Sequence, residues 1–411
     1  MKELRQQAEY ITEKAIRAVL PDEAVKRALE GREFEGRVIL VAIGKAAWQM
    51  AKTAREILRN RPDSGIVITK YGHVKGTIDG CKCFEAGHPV PDENSVMATE
   101  RAIELISGLS EEDTVIFLIS GGGSALFEKP LISGEELQNI TEQLLKSGAS
   151  ITEMNTIRKR LSGVKGGRFA ELCAPAEVYS IVLSDIIGDP LDMIASGPAY
   201  PDSTTCEQAL EIAKKYELRL SDAAWECLHH ETPKELHNVE TVITGSVREL
   251  CRAAAAVCEE LGYETEILTD TLDCEARDAG KWMAGIACEH RNTDRKLAFI
   301  AGGETVVHVT GTGLGGRNQE LALTAAEDIA GMKAAVFSVG SDGTDGPTDA
   351  AGGYVDGESM DEFFAKGINV AQILKDNDSY HALEAVGGLI VTGPTGTNVN
   401  DFACVLVGPE E

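Results

Sequence analysis

The sequence predicts an α/β protein of two domains, each built on a sheet that carries helices on both faces. The chain has 411 residues, which is more than one hydrophobic core ordinarily holds together. Short apolar runs of the kind that form buried strands recur along the chain, and segments with helical periodicity separate them. Several of these runs lead directly into a glycine-rich loop. In doubly wound α/β folds, such loops at the ends of strands bind the ligands.

Helical and strand-like segments alternate from the start of the chain. Residues 4–15 carry apolar side chains at helical spacing, so we expect an amphipathic first helix. The run at 38–43 is apolar throughout, and helices are predicted over 46–58 and 247–261. Further strand-like runs lie at 115–119, 178–183, 242–243, 297–300, 335–339 and 389–391. Because helices separate the strands, we expect mostly parallel sheets.

A polar stretch at Pro233, Lys234 and Glu235 is the predicted domain boundary, although no long linker separates the halves. This boundary gives a Rossmann-like domain with a doubly wound, mostly parallel sheet over residues 1–235. A second α/β domain follows over residues 236–411. Each half is long enough for one such domain.

The chain is strongly acidic. It has 39 Lys and Arg residues against 66 Asp and Glu residues, a net charge of −27. A surface of this charge repels nucleic acid and anionic membranes, so we expect neither as a partner. It also repels anionic substrates, so any site for one needs positive charge that is placed locally.

Composition also bears on the cellular location. No apolar run approaches the length of a membrane span, and the first residues lack the apolar core of a signal peptide. The ten Cys include no C-x-x-C pair and no zinc-ligand spacing, which is typical of thiols in a reducing compartment. We therefore expect a soluble, cytoplasmic protein that is a monomer or a homodimer.

Two glycine loops in the first half are candidates for anion binding. The loop at 120–124 follows a strand-like run, and its three glycines let backbone N–H groups face an anion with no Cβ in the way. A helix behind it would add its positive end, and the alternative is a tight turn. In the second loop, Lys45 follows the run at 38–43 and can reach a phosphate as a point charge. The candidate anion ligands of the two loops are Gly44, Ser120, Gly121, Gly122, Gly123 and Ser124.

A basic segment at 158–168 has five Lys or Arg residues among eleven positions. Its glycines favour an anion site, because a solvent-facing helix does not need them, although a solvated helix face is the alternative. Arg160, Lys165 and Arg168 are its candidate ligands for phosphate or carboxylate.

The second half contains a pattern that indicates two different chemistries. Residues 311–316 fit G-x-G-x-x-G, follow a strand-like segment at 306–309, and have an acidic residue after the next strand. That context is typical of dinucleotide-binding enzymes. Arg317, at the predicted start of a helix, instead fits a charge clamp on a transferring phosphoryl group. In that interpretation, the nearby ligands of the anion are Gly315, Gly316 and Asn318.

Carboxylates in loops after strands are candidates for a metal site and for a base. The loop at 342–349 has three Asp among Gly and Pro, which suits oxygen ligation of Mg²⁺, although Asp-rich turns also form for local reasons. Asp342 and Asp345 are the candidate metal ligands. Asp185 or Asp189, in the loop after the run at 178–183, is a candidate to act as a base toward a hydroxyl or to help hold a metal. His88, in a Pro-rich loop, is expected to be structural.

Nine segments of this chain, in this order, resemble the glycerate 2-kinase family, whose carboxyl-terminal half is known as the MOFRL domain. The segments lie at 42–47, 86–92, 119–125, 182–189, 194–198, 302–305, 315–320, 342–349 and 393–401. The resemblance implies two α/β domains with the active site in the cleft between them. It implies ATP, a divalent metal and phosphorylation of D-glycerate at the 2-hydroxyl. It also implies that Lys45 and Arg317 are catalytic and that Asp189 is the family's cleft aspartate.

Two alternatives remain at this point. Members of this family have also been labelled hydroxypyruvate reductases, which agrees with the G-x-G-x-x-G pattern and requires NADH or NADPH. The other alternative is a non-catalytic protein that binds metabolites on the same scaffold. Such a protein has no need of Lys45, Arg317 and the carboxylates together.

Overall fold

The computed structural model describes residues 2–59 and 61–409, and the chain divides into two compact units. The amino-terminal unit comprises Ala24–Ser184 and Asp189–Thr244. The carboxyl-terminal unit comprises the residues up to Glu23, the segment Asp185–Gly188 and the chain from Gly245 onward.

Twelve strands occur in the described residues. They are β1 (Val38–Ile43), β2 (Ser64–Lys70), β3 (Cys81–Ala86), β4 (Thr114–Ile119), β5 (Glu177–Leu183), β6 (Val239–Gly245), β7 (Glu264–Leu272), β8 (Leu297–Gly303), β9 (Ala334–Gly340), β10 (Gly352–Asp356), β11 (Leu389–Ile390) and β12 (Asp401–Val407).

Sixteen α-helices occur in the same residues, together with a 3₁₀ turn at Ile194–Ser196. The helices are α1 (Lys2–Ala18), α2 (Pro21–Leu29), α3 (Ala47–Leu58), α4 (Glu93–Leu105), α5 (Gly123–Leu126), α6 (Gly134–Lys146), α7 (Ile151–Arg160), α8 (Arg168–Cys173), α9 (Cys206–Lys215), α10 (Asp222–His229), α11 (Val247–Glu260), α12 (Ala276–Glu289), α13 (Arg317–Ala325), α14 (Ser359–Ala365), α15 (Val370–Asp376) and α16 (Ser379–Ala385). None of these described helices has the length and apolar character needed to cross a membrane.

The sheet of the amino-terminal unit has the strand order β3-β2-β1-β4-β5-β6. The pairs β3–β2, β2–β1, β1–β4 and β4–β5 are parallel. This order and direction confirm the predicted Rossmann-like sheet. The strand order reverses between β1 and β4, which makes this pair the topological switch point. Open α/β sheets bind their ligands at the carboxyl ends of the strands around such a point.

The sheet of the carboxyl-terminal unit has the order β11-β10-β9-β12-β8-β7. Only β7 and β8 pair in parallel, and the pairs β8–β12, β12–β9, β9–β10 and β10–β11 are antiparallel. The unit is α/β as predicted, but the expectation of a mostly parallel sheet fails for it. The last strand enters between β8 and β9 and runs antiparallel to both, and β9, β10 and β11 also alternate in direction.

The two units divide the chain differently from the predicted boundary at residue 235. Strand β6 lies beyond that boundary, yet it completes the sheet of the amino-terminal unit. Helix α1 lies far before it, yet its apolar residues Leu4, Ala8 and Ile11 belong to the same buried core as those of α11. An amphipathic helix needs an apolar partner, and the sequence does not reveal which half of the chain supplies it.

Candidate active site

The loops after β1 and β4 meet at the switch point of the amino-terminal sheet. Ile43 and Ile119, the last residues of these strands, are paired in the ladder. Gly44 follows at φ +111°, and a Cβ there would lie 2.3 Å from the carbonyl oxygen of Ser120. The backbone N–H of Lys45 donates to the carbonyl oxygen of Gly121 at 2.9 Å. The two predicted anion-binding loops are therefore in direct contact, and glycine is required at their closest approach.

Ser120 joins the two loops and is occupied by this role. Its hydroxyl accepts a hydrogen bond from the N–H of Ala46 at 3.1 Å and donates to the carbonyl of Ile43 at 3.2 Å. The side chain is buried. The prediction that Ser120 binds an anion is therefore not supported by its surroundings, because both of its hydrogen-bonding roles are taken by the protein.

The rest of this loop keeps its donors free. The N–H groups of Gly121, Gly122, Gly123 and Ser124 have no acceptor among the described residues. Gly122 has φ +86°, a conformation that favours glycine. Helix α5 behind the loop has only four residues, so the expected contribution of a helix dipole is small. The anion-binding capacity of the loop rests on its own N–H groups.

Positive charge lies beside these open N–H groups. A Cβ on Gly122 would lie 2.9 Å from the His88 ring and 3.3 Å from Cγ of Lys45. Burial lowers the pKa of His88, and the charges of Lys45, Lys70 and His73 lower it further. In a chain with a net charge of −27, Lys45 supplies the local positive charge that an anion site needs. His88, expected to be structural, therefore lines the candidate site.

Most of the basic segment at 158–168 is occupied by protein carboxylates. Lys159 is fully buried, and its Nζ lies 3.0 Å from an oxygen of Asp202. Arg160 is also fully buried and donates to both oxygens of Thr204 and, at 3.1 Å, to Glu231. These bonds, with one to the carbonyl oxygen of Thr156, use both terminal nitrogens of Arg160 and leave only its buried Nε without a partner in the described residues, so its surroundings do not support the prediction that it binds an anion.

Lys165 and Arg168 are likewise held by the protein. Lys165 is fully buried in an ion pair with Glu128, and burial lowers its pKa to about 8. Arg168 donates to the carbonyl oxygens of Lys159 and Ser162 at 2.7 and 2.6 Å. Arg168 therefore holds the end of α7 and the loop behind it, and Lys165 holds the segment at Glu128. These surroundings do not support the predicted role of either side chain as an anion ligand.

Asp189 has features that are common in functional residues. Its φ is +52°, which is strained for a residue other than glycine. Its Oδ1 is buried and has no hydrogen-bond partner in the described residues. A strained carboxylate with an unused oxygen fits the predicted role in orienting or deprotonating a hydroxyl.

The glycine loop of the carboxyl-terminal unit is closed by acceptors from the protein itself. The N–H groups of Gly311 and Thr312 donate to side-chain oxygens of Asn377 and Asp376, at 3.0 and 3.1 Å. The N–H of Leu314 donates to Asp378 at 2.9 Å. Residues 306–309 form only one isolated bridge rather than a strand. Both the strand and the free donors that a dinucleotide site requires are missing here.

A carboxylate also occupies the start of α13. Oδ1 of Asp345 accepts from the N–H of Asn318 at 3.1 Å, and Oδ2 accepts from the N–H of Gln319 at 2.9 Å. A Cβ on Gly316 would lie 2.3 Å from Cγ of Asp345. Asn318 thus binds Asp345, and its surroundings do not support the predicted role as a ligand of an external anion. The predicted roles of Gly315 and Gly316 stay predictions.

Arg317 is oriented by two carboxylates of its own unit. It donates to both oxygens of Asp401, at 2.5 and 3.1 Å, and to Glu304 at 2.7 Å. Burial lowers the pKa of Arg317, but these partners outweigh it and raise the pKa above its ordinary value. Burial raises the pKa of Asp401 to about 6, against the effect of Arg317. One N–H on each terminal nitrogen of Arg317 remains available.

The predicted metal ligands fit only in part. Both oxygens of Asp345 bind the start of α13, so this residue does not fit a metal ion. Oδ1 of Asp342 accepts from the N–H of Thr344 at 2.9 Å, and Oδ2 has no hydrogen-bond donor among the described residues. In the part of the chain that the structure describes, no three His, Cys, Asp or Glu side chains form a metal-binding group.

Comparison with known proteins finds two family models and full-length relatives. A domain of unknown function (DUF4147) matches residues 7–229, and the MOFRL family matches residues 297–401. The D-glycerate 2-kinase of Thermotoga maritima is 54% identical over 411 residues, which cover 98% of each chain. This chain belongs to the glycerate 2-kinase family. A crystal structure of glycerate kinase from T. maritima, 53% identical, has a TM-score of 0.95 and covers 99% of this chain and 100% of that chain.

The glycerate 2-kinase family also includes a relative with a different name. A protein of Agrobacterium vitis called putative hydroxypyruvate reductase is 38% identical over 98% of this chain and 94% of its own length. Family membership therefore leaves both chemistries to be weighed against the geometry of the two glycine loops.

Proposed function

We propose that this protein transfers the γ-phosphoryl group of ATP to the 2-hydroxyl of D-glycerate and releases 2-phosphoglycerate and ADP. The observation that carries this proposal is the contrast between the two glycine loops. The N–H groups of residues 121–124 are open beside Lys45 and suit phosphate oxygens. Those of residues 311–314 donate to acceptors of the protein itself, which are three side-chain oxygens and the carbonyl oxygen of Asp376. The relatives named glycerate kinase support the same activity.

Lys45 and Arg317 are the proposed catalytic residues, and each is proposed to stabilise charge on the transferring phosphoryl group. Phosphoryl transfer depends mainly on positioned charge, because the protein forms no covalent bond in it. Lys45 is exposed and has no ion-pair partner among the described residues. Arg317 is held in orientation by Asp401 and Glu304 and keeps two N–H donors for phosphate.

Asp189 is proposed to act on the acceptor. In the transfer, the bond between the γ-phosphorus and the bridging oxygen of ADP breaks while the 2-oxygen of glycerate bonds to phosphorus. The proton of the 2-hydroxyl passes to the unpartnered Oδ1 of Asp189. A carboxylate held at a strained φ keeps this oxygen in place before the substrate arrives.

Asp342 would help to hold Mg²⁺ that is bound to ATP, and the ion would supply positive charge to the phosphate oxygens. Such an ion is ordinarily held by one or two carboxylates, water and the phosphates. Asp342 is the residue that can supply an oxygen, since Asp345 is engaged with α13. Cytoplasmic location and a monomeric or homodimeric state stay predictions, the latter testable by light scattering after size-exclusion chromatography.

One pair of assays tests the activity. The protein is mixed with D-glycerate, ATP and Mg²⁺, and ADP is measured. In parallel it is mixed with hydroxypyruvate and NADH or NADPH, and absorbance is followed. We expect ADP in the first assay and no oxidation in the second. Loss of NADH or NADPH without formation of ADP would refute the proposal, and phosphorus NMR of the product distinguishes 2- from 3-phosphoglycerate.

A further inference from the structure

Arg158 is the one basic residue of the segment 158–168 whose donors the described part of the protein leaves largely unused. Its Nη2 donates to the carbonyl oxygen of Ser124 at 3.3 Å. Its Nε is buried and has no hydrogen-bond partner in the described residues. A buried guanidinium N–H without an acceptor is costly, so a position of this kind indicates a missing partner.

The charge of Arg158 is also unbalanced. The nearby carboxylate that acts on it is Glu128, and Glu128 is already paired with the buried Lys165. Burial lowers the pKa of Arg158, with Glu128 opposing that effect. Because arginine stays protonated even in such surroundings, the site keeps a positive charge that a monoanion would balance.

The hydroxyl groups of Ser124 and Ser196 lie near Arg158, which donates to the backbone carbonyl of Ser124. The Oγ of Ser124 lies 2.9 Å from Oγ of Ser196, which donates to Oδ1 of Asn155 at 3.2 Å. Ser196 has φ +63° and Ala195 has φ +51°, and residues other than glycine hold such values only where the surroundings demand it. The segment is therefore fixed in a strained conformation that brings a hydroxyl to Ser124.

We propose that Arg158 binds the carboxylate of D-glycerate, with the hydroxyls of Ser124 and Ser196 beside the bound substrate. The inference rests on the proposed function and deepens it by assigning the acid group of the substrate. Guanidinium and carboxylate form two parallel N–H···O bonds, and Arg158 has Nε and a terminal nitrogen to offer. The open N–H groups of residues 121–124 and Lys45 are then left for the phosphates of ATP.

The test compares Arg158→Gln and Arg158→Lys with the wild type in the D-glycerate kinase assay. We expect the KM for D-glycerate to rise about 10- to 100-fold in Arg158→Gln, the range for a lost charge-assisted hydrogen-bonded pair. The rise in Arg158→Lys is smaller, because lysine keeps the charge but loses the two-point geometry. The KM for ATP stays within about threefold of the wild-type value in both variants.

A neutral substrate analogue adds a readout that a merely structural role would not change. Wild-type protein should prefer D-glycerate to D-glyceramide, which has no carboxylate, and Arg158→Gln should lose most of that preference. Arg101→Gln is the matched control, because it removes the same charge from an exposed arginine on α4 that forms an ion pair with Glu104. This control should behave as wild type in every measurement.

These measurements distinguish failure of the Arg158 assignment from failure of the proposed kinase activity. An unchanged KM for D-glycerate in both Arg158 variants overturns the inference and leaves the proposed function intact. A rise in the KM for ATP alone assigns Arg158 to the nucleotide and also overturns it. Wild-type protein that forms no ADP refutes the proposed function itself. If Arg158→Gln does not fold, Arg158→Lys tests the inference through its KM for D-glycerate, its KM for ATP and its preference for D-glycerate over D-glyceramide.

Discussion

Replacement of Asp401 by Asn should change activity and stability in opposite directions. Asp401 is only 6% exposed, and burial raises its pKa from 3.8 to about 6 although Arg317 donates to both of its oxygens. At neutral pH the folded protein therefore contains an ionised carboxylate that the fold disfavours. A difference of about two pKa units corresponds to about 3 kcal/mol of unfolding free energy.

Asp401→Asn removes this charge and keeps the shape of the side chain. At pH 7 we expect its free energy of unfolding to exceed that of the wild type by up to about 3 kcal/mol. We expect kcat to fall about 10- to 100-fold, because an amide has only one oxygen to hold Arg317 in place. Activity and stability thus separate in one variant, which a general disturbance of the fold would not produce.

The pH dependence follows from the raised pKa of Asp401. Protonation of this carboxyl stabilises the fold fully below its unfolded pKa of about 3.8, and that contribution is lost as the pH rises through about 6. The stability advantage of Asp401→Asn should therefore shrink as the pH falls from 7 toward 4. The kcat of the wild type should decline below about pH 6, where Arg317 loses its ionised partner.

Urea unfolding at pH 7 and pH 5, together with steady-state kinetics, measures these effects. Asp294→Asn, at a carboxylate that is 97% exposed, is the control and should alter neither quantity. A variant at Asp401 that is less stable than the wild type at pH 7 would show that the ion pair with Arg317 outweighs burial. An unchanged kcat would remove Asp401 from the positioning of Arg317.

Three further predictions concern the loops. Lys45→Ala should lower kcat on the order of 100-fold, as the loss of a preorganised charge does; a rate within a few-fold of wild type would exclude the lysine from the mechanism. Gly122→Ala should lower kcat/KM for ATP at least about tenfold, because Gly122 has φ +86° and the new Cβ would lie 2.9 Å from the ring of His88. Unaltered ATP kinetics would contradict the assignment of this loop to ATP. In a Mg²⁺ titration of activity, Asp342→Asn should need several-fold more metal than Asp345→Asn, and the opposite order would reverse the two assignments.

Strand positions could be predicted from the sequence, but strand directions could not. The apolar runs at 38–43 and 178–183 coincide with β1 and with most of β5, because a strand buried on both faces leaves an unbroken apolar pattern. Strand β12 is equally buried, yet it runs antiparallel to both of its neighbours. The pattern is identical in either direction, so the mixed sheet of the carboxyl-terminal unit had no signal in the residues themselves.

In the basic segment at 158–168, the sequence likewise could not predict which cations are paired within the protein. Its five cations look equivalent in the sequence, and the residues that distinguish them lie far away along the chain. Arg160 meets Glu231 and Lys165 meets Glu128, whereas Arg158 meets no free carboxylate in the described residues. A charge cluster predicts that anions are near, and only the fold determines whether those anions belong to the protein.

The two glycine loops are distinguished by the acceptors that the rest of the chain supplies. A ligand phosphate must displace any acceptor already bound to the N–H groups, and an acceptor held in place by the fold competes at a high effective concentration. Residues 376–378 are such acceptors for the N–H groups of residues 311–314. Asp345 is the acceptor at the start of α13. No described residue fills it at 121–124. The spacing of G-x-G-x-x-G therefore indicates a dinucleotide, but the occupied donors favour phosphoryl transfer at the other loop.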